Sequence, residues 1–307
     1  MHARIFFIKA REANKAIIFR HGPTKWIRMI IWNLDDDSFE TGQWISKKVQ
    51  VRRSDISPSG NYLIYLIDND DYLPNRTISR TIISRPPYWT ALAAWEHDST
   101  LFGTGGGLFD NENNVVLNFY NPVDPLPNLP IPASVNIAAA KVGNDYNVWK
   151  GQINTLLDHR LQREGWTEIA DDEFVAAETF RITQRTPDPF WAERQPASLE
   201  PIVPKLWKKA ITNSTSLLKI SFYHSEHRKN FDLFYIAKKY KKTKLEGIKW
   251  ADTDDNKRII ATKEGRLYAS KVLGDGSVDY ANLELVLDLN SQEPKRILTP
   301  ENMKRWD

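Results

Sequence analysis

The sequence contains no cysteine among its 307 residues. This absence excludes disulfide bonds within the chain, zinc sites built on thiolates, and cysteine nucleophiles. It also removes the bonds that commonly hold small secreted domains together. We therefore expect a cytoplasmic protein whose interior is held by packing and hydrogen bonds.

Long hydrophobic runs are missing as well. No window approaches the ~20 apolar residues that a transmembrane helix needs. The apolar stretch near the N-terminus, Ile5–Ile8, is too short for the core of a signal peptide, and Arg11 and Glu12 soon follow it. We expect a soluble protein with no membrane partner.

A strong charge of one sign is the third absence. Lys and Arg number 42 against 39 Asp and Glu, which leaves a net charge of +3. So small an excess gives no reason to expect nucleic acid or an acidic membrane as the main partner. Aromatic residues, by contrast, make up 11% of the chain, and such rings either fill the space between stacked sheets or line binding grooves.

Short β-like bursts separated by turn residues occupy the first 120 residues. They lack helical periodicity, and their spacing is typical of antiparallel sheets in which consecutive strands pair. The predicted strands are Arg4–Ile8, Ala16–Arg20, Trp26–Leu34, Lys48–Arg52, Tyr62–Ile67 and Thr77–Ser84.

Two proline-rich segments, at about 121–132 and 186–204, are predicted to be surface connections. Between them, Gly151–Arg163 predicts a helix and Phe174–Gln184 predicts a strand. The C-terminal part returns to the earlier pattern. Its predicted strands are Leu217–Tyr223, Phe231–Ala237, Arg258–Ala261, Leu267–Lys271 and Leu283–Leu289.

Three segments share a layout of strand, polar turn and strand: Arg53–Tyr65, Leu108–Asn118 and Trp250–Ala261. Asp, Asn and Gly suit these turns because they tolerate left-handed backbone conformations. The unit Asp55–Tyr65, with Ser-Pro-Ser-Gly in its turn, resembles the strand–turn–strand unit of TolB-like and WD-repeat propellers. Ser59 stands where that unit has Asp.

A wider N-terminal pattern is similar to a family of uncharacterised bacterial β-propeller-like proteins. The segments that carry the likeness are Phe19–Trp26, Gly42–Trp44, Arg52–Pro58, Ile83–Tyr88 and Gly105–Phe109. No activity is assigned to that family, so the resemblance implies a fold and no function.

We therefore predict an all-β fold of β-propeller-like repeats of antiparallel sheets, with five or six irregular blades. The prediction places residues 1–307 in a single domain with the two proline-rich connections. The alternative is a pair of β-sandwich-like domains divided near residues 122–132.

Motifs for catalysis or metal binding are weak. Gly103–Gly107 lacks the following helix and the Lys-Ser/Thr pair of a phosphate loop. His224 and His227 flank a polar turn without a third metal ligand, and Asp252–Asn256 lacks the glycine and distal glutamate of an EF-hand loop. We expect no catalytic residues, no metal and no cofactor.

Basic residues concentrate between Lys208 and Lys249, where eleven Lys and Arg face three acidic residues. Such a region suits an anionic partner, but lysines on strand edges also deter sheet-to-sheet aggregation. We favour edge protection and expect no nucleic-acid partner. Nucleic-acid binding through this region is kept as an alternative function.

An arginine–aromatic cluster is the candidate binding site, because arginine beside aromatic rings suits anionic or planar ligands. We predict that its members lie at strand ends, with Arg53, Arg85 and Trp89 on one shared concave surface. The candidate residues are Arg20, His21, Trp26, Arg52, Arg53, Arg85, Tyr88 and Trp89.

These observations predict a non-enzymatic binding or interaction module that recognises a protein or a small anionic partner on one propeller face. The alternative with chemistry is a propeller hydrolase acting on a sugar or lactone, with carboxylates from turns converging on one channel.

The first testable prediction concerns secondary structure. Far-ultraviolet circular dichroism should show a strand-dominated spectrum with helix below roughly a fifth of the residues, less than the usual third. A helix-dominated spectrum would contradict the propeller and the sandwich alternative together.

Overall fold

The computed structural model describes residues 2–22, 24–73, 76–98, 104–119, 121, 123–140, 155–185, 204–224, 229–273 and 278–306. In this part of the chain 50% of residues lie in strands and 9% in helices. The all-β prediction is confirmed. The strands form five sheets, each made of strands that follow one another in the chain. The predicted number of five or six blades stays a prediction.

The first two sheets have four strands each, paired antiparallel in chain order. The first contains β1 (Arg4–Lys9), β2 (Lys15–His21), β3 (Ile27–Asn33) and β4 (Phe39–Ile45). The second contains β5 (Asp55–Ile56), β6 (Leu63–Leu73), β7 (Arg76–Ser84) and β8 (Ala91–Asp98), and a short 3-10 helix, Val51–Arg53, precedes it.

The remaining sheets have three, five and four strands. The third contains β9 (Gly107–Phe109), β10 (Asn114–Leu117) and β11 (Asn136–Ala139), and its β10–β11 pair is parallel. The fourth contains β12 (Trp166–Glu168), β13 (Lys205–Thr212), β14 (Thr215–His224), β15 (Lys229–Lys238) and β16 (Lys241–Lys244). The fifth contains β17 (Trp250–Thr253), β18 (Ile259–Lys263), β19 (Arg266–Val272) and β20 (Val278–Asp288).

Two helices and a second 3-10 turn complete the described structure: α1 (Thr155–Arg163), α2 (Asp172–Arg185) and the turn Glu301–Met303. The helix predicted at Gly151–Arg163 is confirmed from residue 155, and residues 151–154 lie outside the described residues. The strand predicted at Phe174–Gln184 is wrong, because the segment is helical. Asp171 accepts a hydrogen bond from the backbone N–H of Phe174 at 3.2 Å, and such a cap stabilises a helix N-terminus.

The chain divides into two compact units. Unit 1 comprises Met1–Asn144, Asn154–Arg160 and Lys249–Asp307, and unit 2 comprises Asp145–Ile153 and Leu161–Ile248. The predicted connection at 121–132 contains no helix or strand in its described residues, and it lies inside unit 1, away from the unit boundaries. Residues 186–203 of the second predicted connection lie outside the described residues. The single domain over 1–307 stays a prediction.

Unit 1 is built on the first sheet, which is buried on both faces. One face places Phe19 and Met29 against Tyr65 and Trp89 of the second sheet and its flank. The opposite face belongs to a separate core that joins this sheet to the fifth. Its members include Phe7, Ile18, Trp32, Trp250 and Leu267.

The second sheet is covered on its far side by the third. Ile64 and Trp95 pack there with Phe109 and Leu117. The sheets of unit 1 therefore pack face to face in the order fifth, first, second and third, as consecutive propeller blades do. In unit 2, α2 packs Phe174 and Val175 against the fourth sheet.

The three sequence repeats all form strand–turn–strand hairpins, as predicted. Their turns are closed by equivalent backbone hydrogen bonds: Ser57 N–H to Tyr62 O at 2.8 Å, Asp110 N–H to Asn114 O at 2.9 Å and Asp254 N–H to Arg258 O at 3.0 Å. The strand predicted at Lys48–Arg52 is wrong. Val49 makes one isolated bridge to Ile67, and the 3-10 helix follows it.

Gly42 in β4 lies against the loop between β7 and β8, and this close contact supports the second prediction. A Cβ added at this position would lie 2.0 Å from the carbonyl oxygen of Pro87. Gly42→Ala should lower the free energy of unfolding by about 2–3 kcal/mol, since backbone must move to relieve the clash.

The measurement is chemical denaturation followed by tryptophan fluorescence. Thr41→Ala, an exposed neighbour on the same strand, is the matched control and should change the value by less than about 0.5 kcal/mol. Equal stability of the Gly42→Ala variant and the wild type would contradict the close approach.

Candidate functional site

Arg20, the first member of the predicted cluster, is 2% exposed on β2. Its Nε donates to Leu289 O at 2.9 Å and its Nη2 to Asn290 O at 3.2 Å, and Nη1 binds the carbonyl of Gly22. Its guanidinium also lies 5.2 Å from the centre of the Trp44 ring. Arg20 therefore uses its donors on the backbone of its own chain.

Arg28 on β3 is the pairing partner of Arg20 on β2, and its guanidinium contacts the same Trp44 ring. It lies 5.3 Å from the Trp44 ring and donates to Gly42 O at 3.2 Å and to the Gln292 side chain at 3.0 Å. Burial and the nearby Arg28 lower the pKa of Arg20. Arg28 and Trp44 are not among the candidate site residues predicted from the sequence, although strand pairing places them next to Arg20.

Arg85 lies at the end of β7 and also binds the C-terminal part of the chain. Its guanidinium is 5.8 Å from the Tyr62 ring and makes long contacts to Asn302 O and Arg305 O, at 3.5 and 3.4 Å. Trp306 packs on the same Tyr62 ring, with 5.1 Å between ring centres.

Arg53 and Arg52 point to other elements. Arg53 donates to the carbonyl of Thr104, in the glycine-rich segment before β9. In that segment a Cβ on Gly105 would lie 2.6 Å from the His97 ring, so the glycines allow the backbone to pass a side chain closely. The guanidinium of Arg52 lies 5.6 Å from the ring of Trp250.

Trp89 is a core residue. It is 7% exposed, packs on Phe19 and Tyr65, and donates from Nε1 to Gln43 O at 3.0 Å. Tyr88 is half-buried, and burial together with the nearby Glu40 raises its pKa. Arg53, Arg85 and Trp89 thus contact three different parts of unit 1, and the binding role of the cluster stays a prediction.

His21, the last residue of β2, lines a pocket of about 430 Å³ at one end of the first sheet. We call it the strand-end pocket. The start of β1, the end of β2, the start of β3 and the end of β4 meet there, because Arg4, His21, Ile27 and Ile45 are neighbours across the sheet. Its lining residues are Arg4, His21, Gly22, Thr24, Lys25, Ile27, Ser46, Lys47, Lys48 and Val49. Trp26 is half-buried in the adjoining turn, where its carbonyl accepts the Gly22 N–H at 3.1 Å.

The strand-end pocket is strongly cationic. Four lining residues carry full positive charges and none of the described lining residues is acidic. Lys48 is partly neutralised by Asp68 at 2.7 Å. Within the described part of the chain, Arg4 and Lys25 make no ion pair, and both are exposed.

The imidazole of His21 is held neutral. Desolvation and the neighbouring Arg4 lower its pKa to about 3. Its Nε2 atom is shielded from solvent and has no hydrogen-bond partner among the described residues, and the ring packs edge-on against Phe6 with 5.2 Å between centres. His21 therefore adds a polar but uncharged wall to a pocket whose charge comes from the lysines and Arg4.

The basic region Lys208–Lys249 has two kinds of lysine in unit 2. Lys219 is buried beside Asp232 at 3.8 Å, and Lys242 pairs with Asp171 at 2.7 Å. At the turn between β15 and β16, Lys238, Lys239 and Lys241 are exposed beside the fully exposed Tyr240. The metal hypothesis for His224 and His227 cannot be placed, because residues 225–228 and the His224 side chain lie outside the described residues.

Turn carboxylates pair with neighbouring cations. Arg258 binds Asp37 at 2.8 Å and Asp254 at 2.6 Å, and Asp254 belongs to the segment considered for calcium. No group of three His, Asp or Glu side chains suited to a metal ion occurs in the described residues. In the same residues, no helix has the length and apolar character to cross a membrane.

No protein-family model matches the sequence. Among curated proteins there is no match either.

Solved structures give distant likenesses. An acylaminoacyl peptidase from Pyrococcus horikoshii shares 8% identity over 94% of this chain and 45% of its own, with a TM-score of 0.30. A second structure, an acylaminoacyl peptidase in complex with Z-Gly-Gly-Phe-chloromethyl ketone, shares 12% identity over 90% of this chain and 39% of its own, at a TM-score of 0.25. The chain thus spans less than half the length of both peptidases.

The β-propeller domain of the Trilobed protease from Pyrococcus furiosus shares 9% identity over 91% of this chain and 82% of its own, again with a TM-score of 0.25. The fold assignment rests on the sheets described above and not on these likenesses, whose TM-scores are low.

The third prediction follows from the neutral His21. Its pKa in the folded protein, about 3, lies below the unfolded value of about 6.5. Below about pH 6.5 the His21 side chain is protonated in the unfolded state but stays neutral in the folded state. The free energy of unfolding therefore decreases as pH falls from about 6.5 toward 3. This contribution has a slope of at most about 1.4 kcal/mol per pH unit.

His21→Gln should make the pH dependence of unfolding shallower in this range, measured as urea midpoints at pH 7, 6 and 5. His159→Gln, on the exposed side of α1, controls for the loss of one histidine and should follow the wild type. An unchanged slope in His21→Gln would overturn the assignment.

Proposed function

We propose that the chain is a non-enzymatic binding module that takes a small anionic ligand in the strand-end pocket. The observation that carries the proposal is the imbalance of charge in the lining: Arg4, Lys25, Lys47 and Lys48 face the pocket without an acidic residue among the described lining residues. Like charges held together in a concave site attract an anion strongly.

The dimensions of the pocket suit a small molecule. Its volume of about 430 Å³ lies within the roughly 300–1,000 Å³ of typical ligand sites. Ile27 and Val49 are buried and give it an apolar floor. A guanidinium and ammonium groups above an apolar floor favour a ligand with a phosphate or carboxylate group and a small organic body.

The hydrolase alternative has less support. Hydrolysis of a glycosidic bond needs two carboxylates on either side of the bond, and the described lining residues include none. The nucleic-acid alternative depends on the exposed lysines of the β15–β16 turn. Three other lysines of the region, Lys219, Lys242 and Lys244, are paired with acids. A few charges at one tip give weak, salt-sensitive binding.

The fourth prediction tests the anion pocket by calorimetry with inorganic pyrophosphate and citrate as probes. At least one of them should bind, and Arg4→Ala/Lys25→Ala should weaken binding by tenfold or more, because charge-assisted hydrogen bonds are lost. Raising the salt concentration should weaken binding to the wild type as well.

The matched control is Lys238→Ala/Lys241→Ala, which removes the same charge from unit 2 and leaves the pocket intact. It should bind the probes as the wild type does. If both double variants lose affinity equally, the effect comes from net charge and the pocket assignment fails.

A further inference from the structure

The C-terminal segment 289–306, called the strap here, is held on unit 1 in an unusual way. Residues 292–299 form neither helix nor strand, and most side chains of the strap are exposed, Leu298 to 72%. Among residues 290–306 Thr299 alone is buried, and Leu289 at the start of the strap is fully buried. A segment with so few buried groups opens at low free-energy cost compared with core strands.

The surface beneath the strap, called the track, is well fixed. It consists of Arg20, Arg28, Gln43, Tyr62, Arg85 and Thr90. Arg20 and Arg28 are buried on β2 and β3, and the Gln43 side-chain oxygen accepts the Trp89 backbone N–H at 2.9 Å. Each of these three residues also has a hydrogen bond outside the strap, Arg20 to Gly22 O, Arg28 to Gly42 O and Gln43 from Trp89 N–H.

Most hydrogen bonds from the track go to the strap's backbone. Arg20 binds the carbonyls of Leu289 and Asn290, and Gln43 binds the carbonyl of Ile297 at 2.8 Å. Carbonyl groups occur in every peptide, so this part of the recognition is independent of sequence. It resembles the way in which proteins bind extended peptides through main-chain bonds.

Three side chains of the strap supply the sequence-dependent part, and the first is Gln292, whose Oε1 accepts from Arg28 Nη1 at 3.0 Å. Thr299 Oγ1 accepts from Gln43 Nε2 at 2.7 Å and hydrogen-bonds to Thr90. Seven residues later, Trp306 packs on Tyr62 beside the core between the second and third sheets. A hydroxyl and an aromatic ring seven residues apart are thus the anchors.

We propose that the track is a peptide-binding surface whose resident occupant is the strap. Its partner is an extended segment of another protein, with Ser or Thr followed seven residues later by an aromatic residue. Such a segment displaces the strap and takes over the same carbonyl bonds and the same ring contact. This inference is independent of the anion pocket, since none of the track residues lines that pocket.

The absence of cysteine makes a clean test possible in the full chain. Thr90→Cys/Thr299→Cys introduces the only two thiols, at side chains already in contact, and their oxidation locks the strap on the track. The opposite variant, Thr299→Ala/Trp306→Ala, removes both anchors and leaves every track residue in place.

The probe is a fluorescent peptide with the sequence of residues 289–307, and its binding is measured by fluorescence anisotropy. It should bind the anchor-free chain at least about thirtyfold more tightly than the oxidised, locked chain, because a buried aromatic anchor at an interface commonly contributes that much. Gln43→Ala added to the anchor-free chain should abolish binding. Equal binding to the locked and anchor-free chains, or none to either, overturns the proposal.

Hydrogen exchange of the wild type gives a readout without any substitution. Backbone amides of 292–299 should exchange at least a hundredfold faster than those of β2 and β3, and exchange as slow as in these strands overturns the proposal. Sedimentation should show a monomer. A dimer that dissociates when the strap is locked would show that a second copy of the chain occupies the track. That result would overturn the proposal that the partner is a segment of another protein.

Discussion

The burial of the first sheet on both faces is the constraint on which the rest of unit 1 depends. Phe19 on one face of β2 and Ile18 on the other are both fully buried, and each belongs to a different core. Removing this apolar area from water stabilises the packing of three sheets at once. Because β2 and β3 are covered on both faces, Arg20 and Arg28 are buried near the ends of these strands and need partners within the protein.

Those two arginines show how the fold accommodates charge inside such a layer. A buried guanidinium is costly unless its donors are satisfied, and here backbone carbonyls of the C-terminal segment satisfy those of Arg20. The same bonds hold residues near 290 against the first sheet, some 270 positions away in the chain. The hydrogen bonds from Arg20 therefore compensate the desolvation of its guanidinium and also hold the start of the strap.

Most strands could be predicted from the sequence because β-branched and aromatic runs such as Ala16–Arg20 have few alternatives. Six strands were missed, namely β4, β8, β11, β12, β13 and β16, and two of them show why. In β4, Gly42 interrupts the pattern to let Pro87 approach. In β8, Ala93 and Ala94 have helical propensity but are buried on opposite faces, where small side chains fit between sheets. Tertiary packing outweighs local preference at both positions.

The candidate sites were less predictable, for a different physical reason. The sequence shows that Arg20 and Arg85 stand at strand ends, but their acceptors lie in residues 289–305, and no local pattern links the two. The sequence predicts His21 as a site residue. Arg4 and Lys25 come close to His21 only because of the register in which β1, β2 and β3 pair. Composition indicates which side chains can bind an anion, and strand pairing decides which of them meet.

The pocket and the track rely on different forces, and this separates their roles. Attraction in the strand-end pocket is electrostatic between exposed groups, so it falls with ionic strength over distances of about 10 Å. The track holds neutral carbonyls, a hydroxyl and an aromatic ring, and its main contributions are buried hydrogen bonds and apolar contact, which salt screens little. Ligand binding that weakens with salt therefore belongs to the pocket, and peptide binding that persists in salt belongs to the track.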